Sequence, residues 1–306
     1  MVYRIITTLL FLGISSIVLS QEATDVSENE YTYNKNRGKA YFYWGGNRAK
    51  YSKSDIHFKG ANYDFTLQDV NAKDKPKGWH IDYINPAKMT IPQTNFRLGY
   101  YIHDNYQISF GFDHMKYVVD RPQNVTINGS INFNGIEEGD VNYNGVYNND
   151  TINLIDSIDI DGNPSFFAFE YTDGLNYVNI EFARVDDLGE YLNLNPNKIQ
   201  INLLEGIGIG GLYPKTNATI IGKPRNDEFS WSGYGISAKA GLNLTFFEHF
   251  MIQTELKGGF INMPWIKTTI DGDTAKQQFW FIQHNITVGY VFQLFNNSKK
   301  KNINLN

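Results

Sequence analysis

The sequence predicts an all-β protein: a transmembrane, antiparallel, up-and-down β-barrel of eight strands with long extracellular loops. Three observations carry that expectation. Runs of about ten residues place an apolar side chain at every second position, which is the period of a strand and not of a helix. The connections between these runs alternate between short and long, as in outer-membrane barrels. Finally, the chain opens with an export segment, and after Gln21 it has no apolar run long enough for a helical span.

Residues 1–20 carry one basic residue, Arg4, then an apolar stretch from Ile5 to Leu19, and end in Val18-Leu19-Ser20 before Gln21. This is the layout of a secretory signal peptide cleaved after Ser20. Its apolar part falls short of the ~20 residues of a spanning helix. Losing Arg4 moves the formal charge from −5 by one unit, to −6. Residues 21–37 are polar and are expected to form a flexible periplasmic leader. The barrel is expected over 38–295, followed by a polar tail, 296–306, with Lys299-Lys300-Lys301.

The first strand is expected over 39–47, with Ala40, Phe42 and Trp44 on one side. The second (95–102) sets Phe96, Leu98, Tyr100 and Ile102 against Arg97, Gly99 and Tyr101. A tight turn at His103-Asp104-Asn105 leads to the third, where Tyr106, Ile108, Phe110 and Phe112 oppose Gln107, Ser109, Gly111 and Asp113. The fourth (175–184) carries Val178, Ile180 and Phe182 opposite Tyr177, Asn179, Glu181 and Ala183. The fifth is expected over 199–213 and the sixth over 232–247, where Ile236, Ala238, Ala240, Leu242 and Leu244 alternate with Ser237, Lys239, Gly241 and Asn243. The turn at Glu248-His249 opens the seventh, with Ile252, Thr254 and Leu256 against Gln253, Glu255 and Lys257. The eighth (279–295) sets Ile286, Val288, Tyr290 and Phe292 against Asn285, Thr287, Gly289 and Gln293. Trp280, Tyr290 and Phe292 are placed to form aromatic girdles. A wider ring of ten or twelve strands is the alternative, and two further segments, 63–70 and 79–84, could supply two more strands to it.

The second face of these strands separates a membrane barrel from a soluble sandwich. A wet face would be loaded with Lys and Glu, but this one carries Gly, Ser, Asn, Gln and Thr with a few isolated charges, as suits a narrow lumen. Arg97, Glu181, Lys239, Glu255 and Lys257 fall on that inward face and are expected to pair into a plug of salt bridges. Glu205 shares a face with Leu203 and Ile207, hence with lipid. The glycines that follow suggest a bulge that resets the register there.

Composition excludes several chemistries. With no cysteine there is no disulfide or thiolate metal site, and 27 basic against 32 acidic residues give no basic stripe for nucleic acid. His114, beside Ser109 and Asp113, is the candidate for lipid chemistry at the outer rim, although alternation turns Ser109 and Asp113 the other way. His114 and His284 are alternatively expected at headgroup level, facing outward. The acidic stretches at Glu137-Glu138-Gly139-Asp140 and at Asp156, Asp159 and Asp161-Gly162-Asn163 resemble a calcium loop but fail at Ser157 and Ala168. No metal or cofactor is expected.

The stretches FGFDHMKYV (110–118), LEGIGIGGLYPKTN (204–217) and the run 232–264 resemble a family of outer-membrane β-barrel proteins from flavobacteria and related Bacteroidota. The resemblance implies a fold and a location in the cell outer membrane, and brings no activity or catalytic residues with it. The partners it implies are outer-membrane lipids, including lipopolysaccharide, and the barrel assembly machinery. Three functional readings stay open. The first is a non-enzymatic barrel whose long loops present a binding or structural surface to an extracellular ligand of unspecified kind. The second is a lipid A or phospholipid acyl hydrolase or acyltransferase working near His114. The third is a narrow channel.

Overall fold

The computed structural model describes residues 31–33, 35–76, 78, 92–134, 141–154, 166–224 and 226–294. The expected signal peptide, most of the leader, segment 79–84, both acidic stretches and the C-terminal tail lie outside or largely outside these residues. The chain divides into two compact units after Thr32, and the strands all belong to the unit from Tyr33 onward.

Eight strands close a ring. They are β1 (Lys39–Tyr51), β5 (Thr94–Tyr101), β6 (Tyr106–Val119), β9 (Phe167–Asp187), β10 (Ile199–Leu212), β13 (Gly233–Phe246), β14 (Phe250–Lys267) and β15 (Thr274–Gln293). Each is antiparallel to both neighbours, and β15 pairs with β1 to remove the edges. Followed across the ladders, the row that starts at Ala40 passes through Tyr100, Ile108, Phe182, Ile207, Ala238, Gly258 and Ile282. It returns to β1 at Lys50, ten residues on. That stagger fixes the strand tilt at roughly 40° and leaves an interior just wide enough for side chains.

The ring's outer face is a continuous belt of exposed aliphatic and aromatic residues, among them Leu98, Phe110, Ile180, Ile207, Ile236, Ile252, Ile286 and Val288. Water would penalise such a surface, and soluble chains do not carry apolar patches of this extent. On β15 the belt is bounded by Trp280 and Tyr290, ten residues apart. At a rise of ~3.3 Å and this tilt they stand about 25 Å apart along the axis, the height of a barrel's apolar band. Tyr106 and Phe250 mark the lower border, and Trp231 and Tyr234 the upper. The fold is a transmembrane β-barrel.

Both ends of the ring's chain path, Lys39 and Gln293, meet at the end with the short turns. At the opposite end the wall continues upward. The remaining strands are β2 (Ser54–Lys59), β3 (Tyr63–Val70), β4 (Ala72–Lys73), β7 (Gln123–Ile131), β8 (Gly145–Leu154), β11 (Lys215–Ile220) and β12 (Asn226–Phe229). The top of β15 pairs with β2, and the sheet runs on through β3 and β7 to β8. The top of β9 pairs with β11, and that of β6 with β4. These strands enclose an apolar core with Ile56, Phe58, Phe65, Ile127, Phe167, Phe169 and Tyr171 at its centre.

Three expectations change. The described parts of the long connections form strands of a folded head, and 63–70 forms a strand of that head, paired with β2 and β7 and not with the ring. Several strands run further than alternation suggested: β9 begins at Phe167, β14 reaches Lys267 and β15 begins at Thr274. No bulge follows Glu205, because both ladders of β10 keep continuous register. Glu205 faces outward opposite Arg184, near the short-turn end. The register shifts between described ring strands lie instead at Met115/Tyr117 and Met263/Ile266, in the upper wall.

Candidate functional site

The lumen at mid-membrane is built from inward side chains of five of the eight ring strands. Arg97 on β5 reaches Glu181 on β9 (2.9 Å) and Asp113 on β6 (3.8 Å). Lys239 on β13 bridges Glu181 (2.6 Å) and Glu255 on β14 (3.1 Å). Lys257, also on β14, contacts Asp113 (2.6 Å) and Glu181 (2.7 Å). All are nearly or fully buried. Uncharged groups complete the shell: Arg97 donates to Tyr43, Ser109 and Asn179, while Asn285 and Gln253 donate to Glu255. Three cations face three carboxylates, so the cluster is formally neutral, a condition that makes buried charges tolerable.

The five residues expected in the lumen are therefore together, with one addition. Asp113, considered for catalysis, is the sixth member, accepting from Asn95 and Asn179 as well as Lys257. Two signals pointed to it in the sequence. It has the inward parity of Ser109, and without it the five residues leave one unbalanced positive charge.

Below this cluster Tyr41, Tyr43, Tyr101, Leu204, Met251 and Val291 close the short-turn end. A cavity of about 10 Å³ remains among Tyr41, Gln107, Asn243 and Gln253, room for one water. Above it the apolar core of the head begins.

The catalytic trio does not assemble. Ser109 and Asp113 are engaged inside the lumen, whereas His114 lies on the opposite side of β6. Nor does His114 meet headgroups: it is fully buried. Its Nδ1 is 2.7 Å from the Asn176 amide oxygen, and Asn176 in turn donates to the Tyr213 carbonyl. Gly174, at φ +106°, brings backbone so close that any side chain there would collide with the imidazole. A layer of β9 and the chain after β10 thus covers the face that parity alone assigned to lipid. His284 does face outward, with Nε2 2.9 Å from the Thr254 hydroxyl. It sits four residues below Trp280, however, about 10 Å inside the apolar band and not at headgroup level. No group of His, Asp and Glu that could hold a metal ion occurs among the described residues.

The head offers the other candidate surface. β8 is hydrogen-bonded to β7 alone among the described strands, and most of its length is exposed, including Val146, Asn148, Asn149 and Asp150. A buried ionic clamp ties the head together. Lys223 lies 2.6 Å from Asp273, which also accepts from the Tyr63 hydroxyl at 2.8 Å, joining three outward connections. Burial, and then the adjacent Asp273 carboxylate, push the Tyr63 phenol well above its ordinary value.

A membrane-spanning barrel with a lumen filled by side chains and a folded head is the class these features define. No family model matches the chain, and no curated protein matches it. Among solved structures the chain is similar to Ail, the attachment invasion locus protein of Yersinia pestis, at 11% identity over 84% of this chain and 99% of that one, with a TM-score of 0.30. It is also similar to the outer membrane protein OprG from Pseudomonas aeruginosa, at 10% identity over 86% and 100%, with a TM-score of 0.35. A third is the outer membrane protease OmpT from Escherichia coli, at 8% identity over 88% and 100%, with a TM-score of 0.31.

Proposed function

We propose that this chain is an integral outer-membrane β-barrel protein, exported under residues 1–20 with cleavage near Ser20, whose head serves a non-enzymatic binding or structural role at the cell surface. The observation that carries the reading is the contrast between lumen and head. The lumen is filled by a formally neutral network of buried charges, while the wall beyond the band is elaborated into a domain with its own core. A chain that builds such a head spends its sequence on an exterior surface. Burial of His114 weakens the lipid-enzyme reading, and the filled lumen weakens the channel reading. Membrane lipids contact the belt, and the barrel assembly machinery is the expected insertion partner. The resemblance to Bacteroidota barrels agrees with this placement.

The chain has no cysteine, so an introduced one is unique. In intact cells a membrane-impermeant maleimide is expected to label a Val146→Cys variant, in the head, and to spare a Lys198→Cys variant, in the β9–β10 turn, until the envelope is opened. Reversed labelling overturns the orientation. Steady conductance of the purified protein in planar bilayers would instead favour a channel, and a lipid acyl pattern altered by His114→Ala an enzyme.

A further inference from the structure

The lipid-facing belt is not uniform. Ile207, Ala238, Gly258, Ile282 and Lys50 are successive partners in one row across five strands. The two small residues form the floor of a groove of about 770 Å³ on the outside of the barrel, walled by Ile207 and Ile209 on one side and by Phe260 and Ile282 on the other, with Trp280 at its upper border. That volume falls in the ~300–1,000 Å³ range of small-molecule sites.

Packing does not impose the small floor. A Cβ placed on Gly258 meets only the Phe281 carbonyl oxygen, at 3.8 Å, an ordinary contact, whereas at Gly241 on the neighbouring strand it would run into the Thr254 carbonyl. Glycine in mid-strand is unfavourable where a β-branched residue fits. Here it leaves a space open that the protein itself does not fill.

The row also has a direction. Because of the strand tilt it climbs toward the head end, spanning four interstrand steps of ~4.8 Å, so about 19 Å along the row, and rising about 12 Å, most of the ~15 Å of one leaflet. It ends on a cation: Lys50 is exposed on the outer face of β1, while Arg48, two residues below it, donates to the Asn47 carbonyl. An apolar trough of acyl-chain length ending at a lysine near the aromatic border matches an amphiphile with an anionic head. The ammonium suits phosphate as a point charge.

We propose that this groove binds one outer-leaflet lipid, an acyl chain along the Ala238–Gly258 floor and a headgroup phosphate on Lys50. The proposal rests on the reading that the barrel spans the outer membrane with its head outward.

The test is native mass spectrometry of the full-length protein reconstituted with lipid A, with dephosphorylated lipid A or with phosphatidylethanolamine. Wild type is expected to retain one lipid A through delipidation. Gly258→Phe, which fills the groove, and Lys50→Glu, which reverses its charge, should each lower retention by about tenfold or more, and the dephosphorylated lipid should be held correspondingly less. Ala238→Phe stands in for Gly258→Phe if that variant does not fold. Equal retention by wild type and the groove-filling variant, equal retention of phosphorylated and dephosphorylated lipid, no retained lipid, or a dimer that the groove-filling variant dissociates each overturns the proposal. Heat-modifiable gel migration separates the two levels, because a wild-type protein that lacks it fails the barrel reading itself.

Discussion

The lower and upper halves of the same strands enclose opposite interiors. On β15 within the band, Ile282, Ile286 and Val288 point outward while Gln283, Asn285 and Thr287 point inward. Above Trp280, Lys276 and Gln278 point outward and Ala275 and Phe279 inward. On β6 the change falls between Asp113, in the ionic cluster, and Met115 and Tyr117, in the head's core. Pleat and parity do not change across the boundary. The solvent of the outer face does, from lipid to water, and the hydrophobic effect re-sorts the two faces accordingly. One wall therefore holds a charge-paired plug in the membrane and a conventional apolar core above it.

That difference predicts unequal responses to substitution. The largest effect is expected at the centre of the plug. Glu181→Ala leaves Arg97, Lys239 and Lys257 facing only Asp113 and Glu255 in a dry lumen, and breaking such a buried set costs about 3–5 kcal/mol. The urea midpoint for loss of heat-modifiable migration should fall accordingly. An unchanged midpoint would mean that water enters the lumen and screens the cluster.

In the head, Phe58 stacks on Phe65 and meets Phe167 and Phe169 edge-on. Phe58→Ala should cost about 3 kcal/mol or more through the cavity it leaves. The expected signature is local: the head becomes protease-sensitive while the ring still migrates as a folded barrel. Joint loss of both would show that head and ring unfold as one unit and would dissolve the comparison. A smaller effect is expected for Asp273→Asn, which deprives buried Lys223 and Tyr63 of a charged acceptor, about 1.5–3 kcal/mol, read by the same protease assay.

The polarity inversion also explains what the sequence disclosed. In the band, alternation is strict and contrasts apolar with polar, so the eight ring strands, the inward parity of Arg97 and Lys239 and the short turns were all legible. At the boundary the contrast reverses within a few residues, as in Asp113-His114-Met115-Lys116-Tyr117, and the pattern looks like the end of a strand. Reading the same parity onward with exchanged polarity would have extended β6 through Tyr117 and Val119, both buried. His114 shows what parity cannot supply. Its face was assigned correctly, but the cover over it comes from Gly174, Asn176 and Tyr213, far away in sequence. The groove floor was visible as Ala238 and Gly258, yet only the ladder register aligns them with Lys50.

The smallest predicted effect lies on the head's exposed surface and measures how far its stability depends on charge at all. Asp64 on β3 contacts His57 at 2.7 Å and Lys59 at 3.3 Å, both across the β2–β3 ladder. The hydrogen bond to His57 is the main influence that holds its carboxyl below the ordinary value; burial opposes it, and Lys59 adds to the lowering. Because the folded value is depressed, the stabilisation is complete above the unfolded value of ~3.9 and is lost as pH falls through the folded one. The site is half-exposed, so the whole effect is at most ~1 kcal/mol and shrinks in salt. Hydrogen exchange in the β2–β3 hairpin should therefore be slightly faster in Asp64→Asn than in wild type at neutral pH, and the two should converge in acid. A difference that instead grows in acid, or that matches the Phe58→Ala effect, would mean that the head is held by its surface charges and not by its apolar core.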